Sequence, residues 1–418
     1  MNLYLFIILF LLFIEYFLNT LGNILNIKSI NQNQDVPLEF KDLYDIDKYN
    51  KSRDYIKGNI FFKIFKDTFF LILILLFIFK DFFVFLDFFV RRLSDSNIIR
   101  GLIFSGIIFF AFELLNIPFS FYHTFVIEEK YGFNRTKLKT FILDLVKSWI
   151  LSIIIGGVLL TILIFLFEKF NRLAWLYCWI ATSLFEVFLV FVAPVLILPL
   201  FNKFMPIQDK ELTDLIYNYA KRQNFPIKSI FKIDASRRSA KTNAFFVGFS
   251  KFRRIGLFDT LLKSHTKEEI LTILAHEVGH YKKKHFVKDL FISIFNIGFL
   301  FFIFYFFVYN KNFFSAFKVE PSIYSSFALF SLIYSPINFL LSIFYNAISR
   351  KHEYEADLFA IRTTNMPDNF ILALKKLSIE NFSNLTPHRF KVVLEYSHPP
   401  ILERINFIRS LSLEGHRI

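Results

Sequence analysis

Long apolar stretches constrain the fold of this chain more than any other feature of its sequence. A helix needs roughly 20 mostly apolar residues to cross the hydrocarbon core of a bilayer. Seven stretches come close to that requirement, near residues 3–23, 68–90, 101–122, 148–168, 174–201, 287–309 and 323–346. The sequence therefore predicts an α-helical integral membrane protein with seven transmembrane helices.

The charges between these stretches predict an orientation. If the spans alternate across the bilayer, the loops 24–67, 123–147 and 202–286 and the tail after 347 share one side, and they hold nearly all Lys and Arg residues. The positive-inside bias places that side in the cytosol. Loops that face an anionic leaflet account for the net charge of +14. No basic stripe alternates with stacking aromatic residues, so we predict a lipid bilayer and no nucleic acid as a partner.

Three acidic residues lie well inside the predicted spans. Glu15, Glu113 and Glu186 are costly in lipid and should face a protein interior or a water-filled cavity. Hydrogen bonding between helices and a functional cavity are both open interpretations.

Two polar blocks, 202–286 and 347–418, can form a lobe outside the membrane. The first contains a helical pattern, strand-like runs at 227–234, 242–249 and 254–259, and a further helix. A capping box of Thr266 and Glu269 begins this helix. The chain thus divides into helices one to five with polar loops (1–201), the first part of the lobe (202–286), helices six and seven (287–346) and the second part of the lobe (347–418).

The strongest chemical signal is HEVGH, residues 276–280. Positions four apart share a helix face, so His276 and His280 can present two imidazoles to one Zn²⁺ while Glu277 reaches the attacking water as general base. A solvated helix face is the alternative explanation. The capped helix start and the apolar residues 273–275 favour a buried metal site.

A catalytic zinc commonly has three protein ligands and one open position, so a third ligand is needed. The best candidate is Glu353, with Asp357 one turn later to orient a ligand imidazole. Glu355 would point elsewhere, and His352 is a rival ligand. From spacing alone, a charged helix face just outside the last span explains these residues better than a metal site does.

Weaker signals surround this motif. His398, in the turn SHPP, could donate to a developing oxyanion, and Arg404 could hold it or the substrate. Asn243 and Ala244 begin a predicted edge strand that an extended substrate could join, with Asn243 as a clamp. A structural turn and an ordinary hairpin are the alternatives. The remaining histidines have no partner spacing and are predicted to be surface or core residues: His123, His265, His285, His388 and His416.

Longer stretches resemble one known family, the type I CAAX prenyl endopeptidases, which are zinc metalloproteases of the endoplasmic reticulum membrane. The stretches are FVIEEKYGFN (125–134), PLFNKFMPI (199–207), SRRSAKTNAFFVGF (236–249), RIGLFDTLL (254–262), AHEVGH, EYEAD and SHPPILERI.

The resemblance implies a fold of seven helices around a large water-filled chamber that holds one zinc ion. It implies the ligands His276, His280 and Glu353, with Glu277 as base and Asp357 behind a ligand. It also implies that His398 and Arg404 face the transition state and that Asn243 binds the substrate backbone. The implied substrate is a prenylated CAAX protein, cut after the modified cysteine, at the endoplasmic reticulum membrane.

Three other functions stay open. A membrane protease of the same chemistry could degrade damaged membrane proteins, without need of a prenyl group. A seven-helix transporter could use Glu15, Glu113 and Glu186 along its path and hold a structural zinc. A catalytically inactive scaffold is the third, and the intact ligand set disfavours it.

Overall fold

The computed structural model describes residues 2–247 and 254–415 of the chain. The first part is mainly helical, because a segment within a bilayer must satisfy its backbone hydrogen bonds internally. Its helices are α1 (Leu3–Gln32), α2 (Ile46–Phe79), α3 (Phe82–Leu93), α4 (Asn97–Tyr122), α5 (Glu129–Tyr131), α6 (Leu138–Phe170), α7 (Ala174–Val192) and α8 (Leu198–Phe201).

A mixed segment and a second helical part follow. The mixed segment contains β1 (Phe204–Pro206), α9 (Lys210–Arg222), β2 (Ser229–Ile233), β3 (Ala244–Val247), β4 (Arg254–Phe258), α10 (Leu261–Ser264) and α11 (Lys267–Lys282). The later helices are α12 (His285–Val308), α13 (Lys311–Ser315), α14 (Ile323–Thr364), α15 (Pro367–Glu380), α16 (Arg389–Glu395) and α17 (Ile401–Gly415). Helix α14 runs without a break through position 346, so the last apolar span and the segment that carries Glu353 form one rod.

The number of membrane spans differs from the prediction. Within the described residues, five helical stretches are long and apolar enough to cross a bilayer, and the bent pair α2 and α3 raises this number to six. The predicted number of seven is therefore slightly off this count. Two of the predicted spans, 148–168 and 174–201, belong to one stretch, Leu138–Phe201. This stretch turns back at Asn171, where φ is 43°, and α6 packs against α7. The class, a multi-pass helical membrane protein, agrees with the prediction.

Polar residues bend the span near residue 80. Helices α2 and α3 meet at an angle of 63°, and Asp81 between them adopts a left-handed conformation with φ of 55°. Asp87 on α3 is buried and accepts hydrogen bonds from Arg91 (2.8 Å) and Tyr324 (2.5 Å). A buried carboxylate in an apolar segment is tolerated because it is paired in this way.

The apolar helices enclose open space. A cavity of about 480 Å³ lies between α1, α2, α4 and α14, and it is lined in part by Glu15, Lys63 and Asp67. Glu15 accepts hydrogen bonds from Ser335 of α14 at 3.0 and 3.1 Å. The position of Glu15 at this cavity therefore confirms the expectation that charged residues within the spans face the protein interior.

The other two intramembrane acids also bind neighbouring helices. Glu113 of α4 accepts from the indole of Trp149 at 3.4 Å, and Glu186 of α7 accepts from Ser293 of α12 at 2.6 Å. The interpretation as hydrogen bonds between helices is thus confirmed for both residues.

The described strands form one sheet in the order β1-β2-β4-β3. Strand β2 is parallel to β4, whereas β1 and β3 pair antiparallel with their neighbours. The three predicted strands are present in shortened form, and β1 was not predicted. Residues 248 and 249 of the second predicted strand lie outside the described part of the chain. Strand β3 is at an edge of the sheet beside α11, so the sheet brings an open strand edge to the helix that carries HEVGH.

Candidate active site

Helix α11 presents two imidazoles side by side. The predicted capping box begins the helix: Thr266 accepts from the amide of Glu269, and the Glu269 side chain accepts from the amide of Thr266. The helix is buried along most of its length, which fixes its orientation. One turn separates His276 from His280, and their Nε2 atoms lie 3.2 Å apart.

Helix α14 brings a carboxylate to the same point. The Oε1 atom of Glu353 lies 3.2 Å from Nε2 of His280, and Oε2 lies 3.5 Å from Nε2 of His276. One potential ligand atom from each of the three residues falls within 4.8 Å of the others. The structure thus brings together the three predicted ligands, from two helices that are far apart in sequence.

Gly279 permits this approach of the two helices. A Cβ atom at position 279 would lie 3.0 Å from the Cα atom and 3.1 Å from the carbonyl oxygen of Ala356. Glycine lets the α11 backbone come this close to α14, whereas a side chain at this position would require the α14 backbone to shift. Since Ala356 lies one turn beyond Glu353, the glycine within HEVGH helps to place the carboxylate.

The chemistry of this cluster fits a metal ion. The Oε2 atom of Glu353 is buried and has no hydrogen-bond partner among the described residues. Burial disfavours charge on His276, yet Asp357 and Glu353 outweigh it and raise the pKa of this imidazole to about 9. A buried site that draws a positive charge between two imidazoles and a carboxylate is suited to a cation.

Asp357 and Arg404 lie behind His276. The Oδ1 atom of Asp357 lies 2.8 Å from Nδ1 of His276, as predicted from its position one turn after Glu353. The guanidinium of Arg404 donates two hydrogen bonds to Asp357, at 2.9 and 2.5 Å. Its Nη1 atom also lies 3.3 Å from Oε2 of Glu353, as an ion pair without hydrogen-bond geometry. Arg404 is buried, so these contacts favour a positioning role, and its predicted contact with the transition state stays a prediction.

His285 lies behind His280, and the sequence did not point to it. Its Nδ1 atom lies 3.1 Å from Nδ1 of His280, and its Nε2 atom lies 3.0 Å from Oε2 of Glu355. The rival ligand His352 stacks on His285, with ring centroids 4.0 Å apart, and its Nδ1 atom faces Asp289 instead. The spacing of five residues between His280 and His285, across a helix break, gives no periodic signal. Of the other histidines, His416 lies outside the described residues.

Glu277 and His398 complete the cluster. Loss of solvent around its carboxyl raises the pKa of Glu277, although the nearby His276 and His280 oppose this shift. The Nε2 atom of His398 lies 3.3 Å from Oε1 of Glu353. The side chain of His398 is 64% exposed. Nearby protein atoms nevertheless lower its pKa by desolvation, as expected for a group on the wall of a concave site.

Asn243 and Ala244 lie where an extended peptide could join the sheet. Ala244 pairs with Leu257 of β4, and the main-chain oxygen of Asn243 accepts from Phe258 at 3.2 Å. The exposed side chain of Asn243 accepts from the amide of Ala244 at 2.8 Å. The predicted edge strand is therefore present beside α11, and the predicted role of both residues in substrate binding stays a prediction.

Family models match both parts of the chain. Residues 26–203 match the model described as "CAAX prenyl protease N-terminal, five membrane helices", and residues 206–412 match peptidase family M48. The second match runs from the last residue of β1 into α17 and includes every residue of the cluster described above.

Known proteins match most of the chain. The CAAX prenyl protease 1 of Saccharomyces cerevisiae is 32% identical and is aligned over 90% of this chain and 89% of its own length. The homologue of Dictyostelium discoideum is 31% identical over 94% of each chain, and that of Homo sapiens is 30% identical over 76% and 75%. A crystal structure of S. mikatae Ste24p superposes with a TM-score of 0.92 and 31% identity, and covers 97% of this chain and 99% of that one. The chain therefore belongs to the CAAX prenyl protease 1 family of M48 membrane metallopeptidases.

Proposed function

We propose that this chain is a zinc endopeptidase that removes the last three residues of prenylated CAAX proteins. The observation that supports this most directly is the convergence of His276, His280 and Glu353 within 4.8 Å. Two imidazoles and one carboxylate are a common donor set of catalytic zinc sites, which keep a further position open. A structural zinc site would instead require four protein ligands, and only these three are brought together among the described residues.

The residues around the proposed zinc have separate tasks. When bound, zinc polarises the scissile carbonyl and lowers the pKa of water. Glu277 takes a proton from the attacking water at its carboxylate and returns it to the leaving amine. Its raised pKa brings the carboxyl closer to neutral pH, where proton transfer in both directions is most efficient.

Other residues stabilise the developing negative charge or position the ligands and the substrate. His398 is exposed to the cavity beside Glu353 and would donate from its imidazole to the oxygen that becomes negative. Asp357 accepts from Nδ1 of His276 and so directs its Nε2 atom towards the ligand position. Arg404 neutralises Asp357 and keeps this carboxylate in place. Strand β3 would pair with the substrate backbone, and Asn243 would bind it from the side.

The apolar interior suits a substrate with a lipid-modified end. A prenyl group can stay in an apolar environment between the helices while the peptide extends along β3 to α11. We further propose that the enzyme resides in the endoplasmic reticulum membrane with the 202–286 loop and the C-terminal segment in the cytosol, since nearly all Lys and Arg residues lie on that side. Accessibility of single introduced cysteines in sealed microsomes would test this orientation.

One cleavage assay tests the proposed function. The purified protein, with its zinc content measured, is given a farnesylated CAAX peptide and its unmodified twin. We expect cleavage of the farnesylated peptide after the modified cysteine and little cleavage of the twin. Comparable cleavage of both would instead indicate a broader quality-control protease. Solute flux that survives Glu277→Gln, without peptide cleavage by the wild type, would indicate a transporter.

A further inference from the structure

Residues 236–243, which we call the anchor loop, connect the sheet to the membrane helices. The loop ends at Asn243, directly before strand β3. Among the described strands, β3 pairs with β4 alone, and its other side is the edge that a substrate would occupy. The sheet therefore fixes β3 from one side only. The position of the opposite edge of β3, which faces the substrate, depends on the contacts of the anchor loop.

Lys241 of the anchor loop is bound by two residues of the membrane part. Its ammonium donates to the hydroxyl of Tyr55 on α2 at 2.8 Å and lies 3.1 Å from Oε2 of Glu128, which directly precedes α5. The hydroxyl of Tyr55 donates in turn to Oε1 of Glu128 at 2.5 Å. The ammonium also lies 4.9 Å above the ring of Phe133, within the range of cation–π attraction.

This network lies in an apolar environment. Tyr55 and Phe133 belong to a buried cluster that includes Ile127 and Phe382. Glu128 is buried and its charge needs a partner, because an unpaired carboxylate in such surroundings is strongly unfavourable. Lys241 is therefore held at a fixed position relative to α2 and the segment that follows α4.

A second attachment joins the anchor loop to α6. Arg238 donates two hydrogen bonds to Asp144, at 2.7 and 3.0 Å, a bidentate pair of fixed geometry. The main-chain oxygen of Arg238 accepts from the amide of Arg135 at 3.0 Å, and the amide of Ala240 donates to Phe133 at 3.0 Å. The loop thus follows the segment after α5 as a short backbone ladder.

The constraint on Lys241 passes to β3 through Thr242. The side chain of Asn381 accepts from the amide of Thr242 at 2.9 Å and donates to its carbonyl at 3.1 Å. Thr260 also donates to the carbonyl of Lys241 at 2.9 Å. Both main-chain groups of Thr242 are therefore occupied immediately before Asn243, and little freedom remains between the Lys241 network and the edge strand.

We propose that Lys241, Tyr55 and Glu128 are positioning residues. They hold strand β3 at the position, relative to α11, at which a substrate backbone paired with β3 contacts that helix. The proposal rests on the proposed function, because β3 is taken as the strand that the substrate joins. These three side chains act through β3 and do not touch the reacting atoms. Through them, the placement of α2 and α4 in the membrane determines where the substrate lies in the lobe.

The test compares Lys241→Met, Tyr55→Phe and Glu128→Gln with Lys221→Met, a control that removes an exposed lysine from α9. For each full-length variant we would measure zinc content, affinity for acetohydroxamate, kcat and KM for the farnesylated peptide, and hydrogen–deuterium exchange over residues 238–247. Acetohydroxamate binds metal through its hydroxamate group and has no peptide backbone to pair with β3, so its affinity reports on the zinc site.

We expect Lys241→Met to lower kcat/KM about tenfold to a hundredfold, mainly through KM, because a small misplacement far from the chemistry has effects of this size. Zinc content and acetohydroxamate affinity should stay within about twofold of the wild type, as for the control, and exchange over 238–247 should be faster. Tyr55→Phe removes a single hydroxyl and should show a smaller loss of the same kind.

Two results would overturn the proposal. One is a kcat/KM of Lys241→Met close to that of the wild type, and the other is an unchanged rate of exchange over 238–247. Failure of the wild type to cleave the farnesylated peptide would instead contradict the proposed function. The exchange measurement needs no substrate, so it tests the anchor separately.

Discussion

The Nδ1 atom of His285 lies 3.1 Å from Nδ1 of His280, and the opposite nitrogen of the same ring lies 3.0 Å from Glu355. If Nε2 of His280 faces the metal, its Nδ1–H donates to His285, and Nε2–H of His285 donates to the Glu355 carboxylate. The tautomer of each imidazole is thereby fixed by the group that accepts its hydrogen bond. This relay orients a ligand without touching the metal position.

We therefore expect His285→Ala to weaken zinc affinity by about tenfold to a hundredfold, the usual effect of removing the outer partner of a ligand histidine. Glu355→Gln should have a smaller effect of the same sign, because an amide oxygen still accepts the hydrogen bond. Competition with a zinc-binding dye measures both constants. His388→Ala serves as the control, since His388 caps α16, and equal losses in all three variants would argue against the relay.

Gly279→Ala should disturb the approach of α11 to α14. The added methyl group would meet the backbone of Ala356 at 3.0 and 3.1 Å, so the helices must move apart and carry Glu353 with them. Overpacking of this kind typically destabilises by about 1–3 kcal/mol. We expect a lower melting temperature in detergent together with weaker zinc binding. Gly156→Ala provides the control, because no atom lies within 4 Å of a Cβ atom there. A fully stable Gly279→Ala variant with normal zinc affinity would contradict this account.

The buried pair of Asp357 and Arg404 predicts a non-additive response. Arg404→Met leaves the buried Asp357 carboxylate without its guanidinium partner. Breaking a buried pair in this way costs up to about 3–5 kcal/mol, whereas replacement of both partners by apolar residues is less damaging. We expect the double variant Asp357→Leu/Arg404→Met to melt at a higher temperature than Arg404→Met alone. The double variant should nevertheless bind zinc more weakly than the wild type, because His276 has lost its partner. Additive losses of stability would show that the two side chains act independently.

Glu277→Gln tests the general base. An amide cannot accept the proton from water, so we expect turnover to fall by about 10²-fold to 10⁴-fold, the usual contribution of such a group. Zinc should remain bound, because Glu277 is not among the three residues that converge on the metal position. Metal analysis and cleavage of the farnesylated peptide are measured on the same preparation. Cleavage at the wild-type rate by a variant that holds zinc would exclude Glu277 as the base.

Removal of the metal by a chelator should lower the stability of the fold as well as the activity. A ligand that binds only the folded state raises the free energy of unfolding. The increase grows with the logarithm of the ratio of the ligand concentration to the dissociation constant. We expect 1,10-phenanthroline to abolish cleavage and to lower the melting temperature, and added zinc to restore both. Glu353→Ala should melt at the same temperature with and without the chelator. A large shift of that variant on chelation would contradict the assignment of Glu353 as a ligand.

The sequence by itself determined the features that depend on neighbours along the chain. Apolar runs indicated the membrane class, the capping box located the start of α11, and the spacing of four residues placed His276 and His280 on one face, because helix geometry fixes these relations locally. The predicted number of spans differs from the count because Leu138–Phe201 is counted as one helical stretch, although it turns back at Asn171 and contains two of the predicted spans.

Only the tertiary structure decided the contacts between distant segments. The packing of α11 on α14 through Gly279 selects Glu353 as the third converging residue and turns His352 towards Asp289 instead. The same packing places His285 behind His280, and the anchor loop brings Lys241 to Tyr55 and Glu128. These contacts depend on which helix faces meet, and that depends on the summed packing of the whole chain rather than on any local pattern.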